Sequence, residues 1–156
     1  MIQRVQSIYL LLVTILMSFI LIKPYAGITL VDGQSLLLKA HVITIQSGEN
    51  VISTYKTTIP VIFLVLVSGF LSFFTIFLYH KRILQIRLTL LNMVFIVILT
   101  CSMLAYYFTV KSNFTDETST LRLGMAFPVL ALIFCTMAIR GIRHDELLVK
   151  SYDRIR

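Results

Sequence analysis

The chain has 156 residues, of which 58% are hydrophobic and only 13% charged, and its mean hydropathy is +0.91. A water-soluble domain has about half its residues apolar and about a quarter charged, and a short chain buries a smaller fraction of its surface than a long one, so a small water-soluble globule is excluded and lipid is the implied solvent. The formal net charge of +7 fits nucleic acid, anionic lipid or the anchoring of membrane spans, and the placement of the charges decides among them.

In chain order, the first apolar run is Val5–Ile22. It is preceded by Arg4 alone, exceeds the usual length of a secretory hydrophobic region, and is followed by Lys23-Pro24-Tyr25-Ala26-Gly27, a poor cleavage site. It is therefore expected to remain as a first transmembrane helix. The outer segment 23–58 comes next. Ile28–Val31, Leu36–Ile45 and Val51–Tyr55 are separated by the turn-forming Asp32-Gly33 and Ser47-Gly48-Glu49-Asn50. This predicts a small antiparallel sheet of two or three strands. A hairpin alone is marginal in water, and Leu36-Leu37-Leu38 is awkward on a freely exposed strand, so the sheet is expected to pack on the helix ends or on a partner.

A second span is predicted at Ile59–Leu78 and a third at Leu88–Phe108, joined by the short basic loop 79–87 as a tight antiparallel hairpin. The polar outer loop 109–120 leads to a fourth span, Leu121–Ile139. The four runs are 18 to 21 residues long, and about 20 residues at 1.5 Å each cross a ~30 Å hydrocarbon core. In the tail, 140–156, Gly141 reads as a flexible joint and Asp145-Glu146 as the first turn of a new helix. Leu148, Tyr152 and Ile155 then form one stripe, with Lys150 and Arg154 on another face. The expected element is a short amphipathic helix lying on the inner leaflet or on a partner. The predicted fold class is thus an all-α membrane protein: a four-transmembrane-helix bundle with a small extracytoplasmic β-hairpin or sheet in the first loop and a short C-terminal amphipathic helix.

Orientation follows from the positive charges. Arg4, Lys81, Arg82, Arg87, Arg140, Arg143, Lys150, Arg154 and Arg156 fall on one side, nine basic residues with three acidic ones. Lys23, Lys39, Lys56, Lys111 and Arg122 fall on the other, five with four acidic ones. Both termini are expected in the cytoplasm. Because topology alone accounts for the basic side, no nucleic acid is expected, and Arg140 and Arg143 with the tail residues are candidates for anionic lipid headgroups or a protein partner. Tyr25, Tyr55, Tyr79, Tyr106 and Tyr107 lie at or just beyond span ends, where an amphipathic ring suits the headgroup region.

Chemistry is sparse. The spans hold no Asp, Glu, Lys or His, and only Arg122 at one edge, whereas proton-coupled transport and intramembrane metal chemistry need ionisable groups at depth. Ser68-Gly69-x-x-Ser72 on the second helix, and Gly124 and Pro128 with Ala131 and Ala138 on the fourth, are candidates for close helix approach, with Pro128 expected to introduce a kink. Asn92, the most polar group within a span, is expected to hydrogen-bond across helices. Cys101 and Cys135 fall towards opposite ends of their spans and are expected to stay unpaired. His41, His80 and His144 lack Cys or carboxylate partners at ligand spacing, and there is no Gly-rich phosphate loop or nucleophile elbow. No catalytic residue, cofactor or metal is expected, and the chain reads as a non-enzyme.

Both ends carry a resemblance. Met1-Ile2-Gln3-Arg4-Val5-Gln6-Ser7-Ile8-Tyr9-Leu10, the Leu90-Leu91-Asn92 start of the third span, and Ile139-Arg140, Asp145-Glu146, Leu148-Val149-Lys150-Ser151 and Asp153-Arg154-Ile155-Arg156 resemble a family of four-helix inner-membrane proteins of Bacteroidota, catalogued as a domain of unknown function. Gly141 stands where that family usually has Ala. The resemblance implies a Gram-negative inner membrane and four spans, and it transfers no activity. The functional expectation is an accessory or scaffold subunit of a larger membrane complex, with a membrane-protein partner or a homo-oligomer. The alternative is a small oligomeric transporter or channel built around the Ser and Thr of helices two and three.

Overall fold

Helices form where the apolar runs are long enough to satisfy every backbone group within one segment, and strands form in the connections at one end. The computed structural model describes residues 3–29, 34–47, 50–78, 81–113 and 118–153. In order these make α1 (Gln3–Ile22), β1 (Ala26–Thr29), β2 (Gln34–Leu38), β3 (Val42–Ser47), β4 (Asn50–Thr57), α2 (Ile59–Phe77), α3 (Arg82–Asn113), β5 (Thr118–Leu121), a 3-10 turn at Leu123–Met125, and α4 (Ala126–Asp153).

The helices make a four-membered bundle in which α1 lies beside α2 and α4, and α3 beside the same two. The buried positions on every helix follow steps of four and three. They are Gln6, Leu10, Val13, Met17 and Ile20 on α1, and Val61, Val65, Ser68, Ser72 and Thr75 on α2. On α3 they are Gln85, Thr89, Asn92, Ile96, Leu99, Met103, Tyr107 and Val110, and on α4 Pro128, Ala131, Cys135, Ala138 and Ile142, with Ile139 also buried beside that stripe. A 3.5-residue repeat keeps one seam facing the neighbours and produces knobs-into-holes packing. Every second helix runs the opposite way, so matching positions meet at one level. Ser68 Oγ donates to Asn92 Oδ1 at 2.7 Å, Ser72 Oγ to the Leu10 carbonyl at 2.9 Å, and Gln85 Nε2 to the Thr75 carbonyl at 3.3 Å.

The exterior is apolar on all four helices. Ile8 and Phe19 of α1, Phe63, Phe70 and Phe77 of α2, Val94 and Phe108 of α3, and Val129 and Ile133 of α4 are all exposed. Three stretches are long and apolar enough to cross a membrane: Ile59–Phe77, Ile83–Asn113 and Leu123–Arg143. The apolar part of α1, Gln6–Ile22, is shorter.

The strands form one antiparallel sheet in the order β4-β3-β2-β1-β5. Strand alternation explains the leucine run. Leu36 and Leu38, paired with Ile28 and Ala26 on one side and Ile45 and Ile43 on the other, pack with Met17, Ile20, Met103 and Tyr107 into the common core. Leu37 faces away from the bundle, opposite Gly27 and Thr44. The sheet thus caps one end of the bundle, and β4 forms its long free edge.

Several expectations need correction. The segment 23–58 carries four strands, not two or three, and the loop read as polar and outward, 109–120, supplies most of a fifth. β5 reaches the sheet through β1, where Thr29 Oγ1 donates to the Thr118 carbonyl at 3.1 Å and the two hydroxyls also hydrogen-bond. The third helix spans Arg82–Asn113 rather than 88–108, because basic residues mark the edge of an apolar zone without ending a helix. The fourth begins at Ala126 rather than Leu121, which puts Pro128 in the first turn, where its missing N–H has no helical partner to lose. Hence it explains no kink. Gly141 is not a joint: α4 continues unbroken to Asp153, so the tail is the end of the fourth helix and not a separate amphipathic one.

Candidate functional site

Seven polar side chains lie in the core at the end of the bundle away from the sheet: Gln6, Ser68, Ser72, Thr75, Gln85, Thr89 and Asn92. Two stripes with the same i, i+4, i+7 spacing make most of this seam, Ser68-Ser72-Thr75 on α2 and Gln85-Thr89-Asn92 on α3. A buried hydroxyl must give its proton to something, and short side chains on a helix can reach a carbonyl one turn back. Thr75 donates to the Leu71 carbonyl at 2.6 Å and Thr89 to the Gln85 carbonyl at 2.8 Å, while Ser68 and Ser72 donate across helices to Asn92 and Leu10.

The seam ends blind. Asn92 and Ser68 share their level with Val13 and Cys135. Nearer the sheet the core turns apolar, first with Met17, Val65, Ile96 and Ala131 and then with Ile20, Val61 and Leu99. The Asn92 carboxamide is fully buried, and its Nδ2 has no hydrogen-bond partner among the described residues. None of the seven side chains ionises in the ordinary pH range, so the seam can exchange hydrogen bonds with neutral groups and has no acid or base of its own.

The small-residue candidates separate on inspection. A Cβ on Gly141 would sit 3.1 Å from Gln6 Cγ, so this glycine lets α4 approach α1. Gly124 lies in the 3-10 turn, where a Cβ would meet the Pro24 carbonyl oxygen at 2.6 Å; only a residue without a side chain permits that contact. Gly69 is looser, with a Cβ position 3.6 Å from Met17 Cβ. It lines an outward-facing groove of about 200 Å³ between α1 and α2 with Thr14, Ser18 and Phe70. Ser68 and Ser72 point into the core and belong to the seam.

At the end of the bundle away from the sheet, Lys81, Arg87, Arg140 and Arg143 are exposed. Leu148, Lys150 and Tyr152 lie in the last turns of α4, and Arg154 and Ile155 fall outside the described residues, as do His80 and Tyr79. Among the described residues no group of three or more His, Cys, Asp or Glu could hold a metal. Cys101 is exposed, Cys135 is buried, and both are free.

Two of the tyrosines read as interfacial, Tyr25 and Tyr107, are buried instead. Tyr25 is fully buried where sheet and bundle meet. Its N–H donates to the Leu38 carbonyl at 2.9 Å and its carbonyl accepts from Arg122 N at 3.0 Å, yet its hydroxyl has no partner among the described residues. Burial, and secondarily the nearby Tyr106, pushes the Tyr25 phenol above the ordinary tyrosine range. Tyr107 is also buried and donates to Ser119 Oγ at 3.0 Å. Tyr55 is exposed.

Sequence reasoning found Asn92, Ser68 and Ser72 but passed over Gln6, Gln85 and Thr89. Gln85 lay in the segment assigned to the inner loop. The available signal was the heptad running back from Asn92 through Thr89 to Gln85.

The family described as "Domain of unknown function (DUF4293)" matches residues 2–155 of the chain. No curated protein matches the sequence.

Proposed function

Because the chain belongs to this family, which offers no activity to carry over, we propose a role from its own residues: a non-enzymatic integral protein of the bacterial inner membrane that serves as an accessory or scaffold subunit of a larger membrane complex. In this reading all four helices cross the bilayer, the sheet lies on the outer side, and both termini are cytoplasmic. The exterior supports insertion, since large apolar side chains are exposed on every helix while most of the buried polar groups sit at one end of the core. The exposed Lys81, Arg87, Arg140 and Arg143 support the orientation and a contact with anionic headgroups.

The observation that carries the accessory role is the length of α4. Gly141 lies beside Gln6, near the start of α1, and α2 and α3 end and begin at about the same level. From there α4 runs on to Asp153, about 18 Å at 1.5 Å per residue, whereas α1 extends past Gln6 only to Gln3 among the described residues. A helical extension that outruns its neighbour gains its stability from packing on something else.

The test is a mild-detergent pull-down of the tagged full-length protein from its own membranes, identified by mass spectrometry. A stoichiometric partner set that disappears when 144–156 is deleted is the expected outcome. Recovery of the protein alone would sink the accessory reading. It would leave the second one, a small oligomeric transporter or channel, which the hydroxyl-rich seam favours and the apolar levels beyond it oppose.

A further inference from the structure

The hydrogen-bond inventory of the seam is unbalanced at Asn92. Ser68, Ser72 and Thr89 have each spent their single O–H donor, on Asn92 Oδ1, the Leu10 carbonyl and the Gln85 carbonyl respectively. Each hydroxyl oxygen retains lone pairs that can accept. Asn92 Nδ2, fully buried, carries N–H donors with no acceptor among the described residues. The carboxamide of Asn92 therefore offers buried, unspent N–H donors beside hydroxyl oxygens that can still accept.

We propose that the level of Asn92 is a binding site for a buried water molecule, which accepts from Asn92 Nδ2 and donates to the neighbouring hydroxyl oxygens. Water matches the requirement on both counts. A cation does not, because the unspent N–H points its positive end at the site. An anion would have no opposing charge among the seven seam residues, all of which are neutral. The side chains buried around this part of the seam are small, with Ser68 in contact with Asn92, and with Ser72, Cys135 and Ala138 on the same buried stripes of α2 and α4. Buried waters typically make about three hydrogen bonds to polar groups that protein atoms leave unsatisfied, and an orphaned buried donor is the costly alternative.

The polarity of the core is also directional. Gln6, Thr75 and Gln85 continue the seam to the end of the bundle away from the sheet, whereas Val65, Ile96 and Ala131 close it on the other side. In this proposal water exchanges with the Asn92 level through the polar end of the seam and not through the apolar levels.

The chain has three asparagines, Asn50, Asn92 and Asn113, which makes selective labelling with 15N-asparagine informative. The experiment is water-edited solid-state NMR on the full-length protein in phospholipid bilayers, with the Asn92 carboxamide identified by its loss in Asn92→Val. Should that variant fail to fold, the contact to the Ser68 side chain identifies the same signal in the parent protein. The expected result is a direct cross-peak between water and the Asn92 side-chain N–H protons, and, in a second sample labelled uniformly with 15N and 13C, none to the backbone amides of Ile96 and Leu99. An Asn92 signal that receives magnetisation only from protein and lipid protons overturns the proposal.

Discussion

Tyr25 shows most sharply what burial does to a polar group in this chain. Its ring fills the junction of sheet and bundle, but its hydroxyl is buried without a partner among the described residues. An unmade buried hydrogen bond costs about 1–3 kcal/mol, so Tyr25→Phe should stabilise the fold by about 1 kcal/mol. The pH dependence has a definite sign. The folded chain holds the phenol proton more tightly than the unfolded chain, whose tyrosines release theirs near pH 10. The contribution of Tyr25 is therefore intact below pH 10 and is lost as the pH rises beyond it. Thermal unfolding at pH 9 and pH 11 checks both statements: the alkaline loss should be smaller in Tyr25→Phe than in the parent, and an equal loss would refute the assignment. Residues of this kind were poorly legible in the sequence. Tyr25 and Tyr107 read as interfacial rings because they follow apolar runs, but the strand pairing that covers them joins segments far apart in the chain. Asn92 and Ser68 were legible as polar groups inside spans, although only the antiparallel register puts them face to face.

Among the elements, the apolar middle of each helix could be read from length alone, and the ends could not. Charged residues such as Arg82 and Arg87 stop an apolar run without stopping backbone hydrogen bonding, so α3 continues through them. The four-residue strand Thr118–Leu121 has too few residues for a period and too polar a composition to stand out, and it exists because β1 offers it a free edge. Gly141 misled for a related reason: glycine weakens a helix by about 1 kcal/mol relative to alanine, but here it is retained within a helix held against α1. The unbroken α4 has a measurable consequence. Spin labels at positions 137 and 151, on a Cys101→Ser/Cys135→Ser background, should give a narrow distance distribution near the ~21 Å backbone rise of 14 residues. A broad distribution centred well below that value would restore the joint.

For the whole molecule, the apolar exterior, the basic end and the sheet-capped end are what the proposed topology rests on. Single cysteines at Lys111 and Ser53 should react with an impermeant thiol reagent added outside intact cells. Cysteines at Arg87 and Arg140 should react only after the membrane is opened, and the reverse pattern would invert the proposed topology. The sheet also imposes an order on biogenesis. β1 lies between β2 and β5, and the paired residues Thr29 and Thr118 are 89 positions apart. A ribosome delivers β1 to β4 long before β5, so one edge of β1 waits with its backbone unpaired until α3 and the connection after it have been made. Completion of the sheet thus reports that the second helical hairpin has arrived. A chain stalled before that point displays an open strand edge, a mark by which surveillance proteases could tell an unfinished molecule from a finished one.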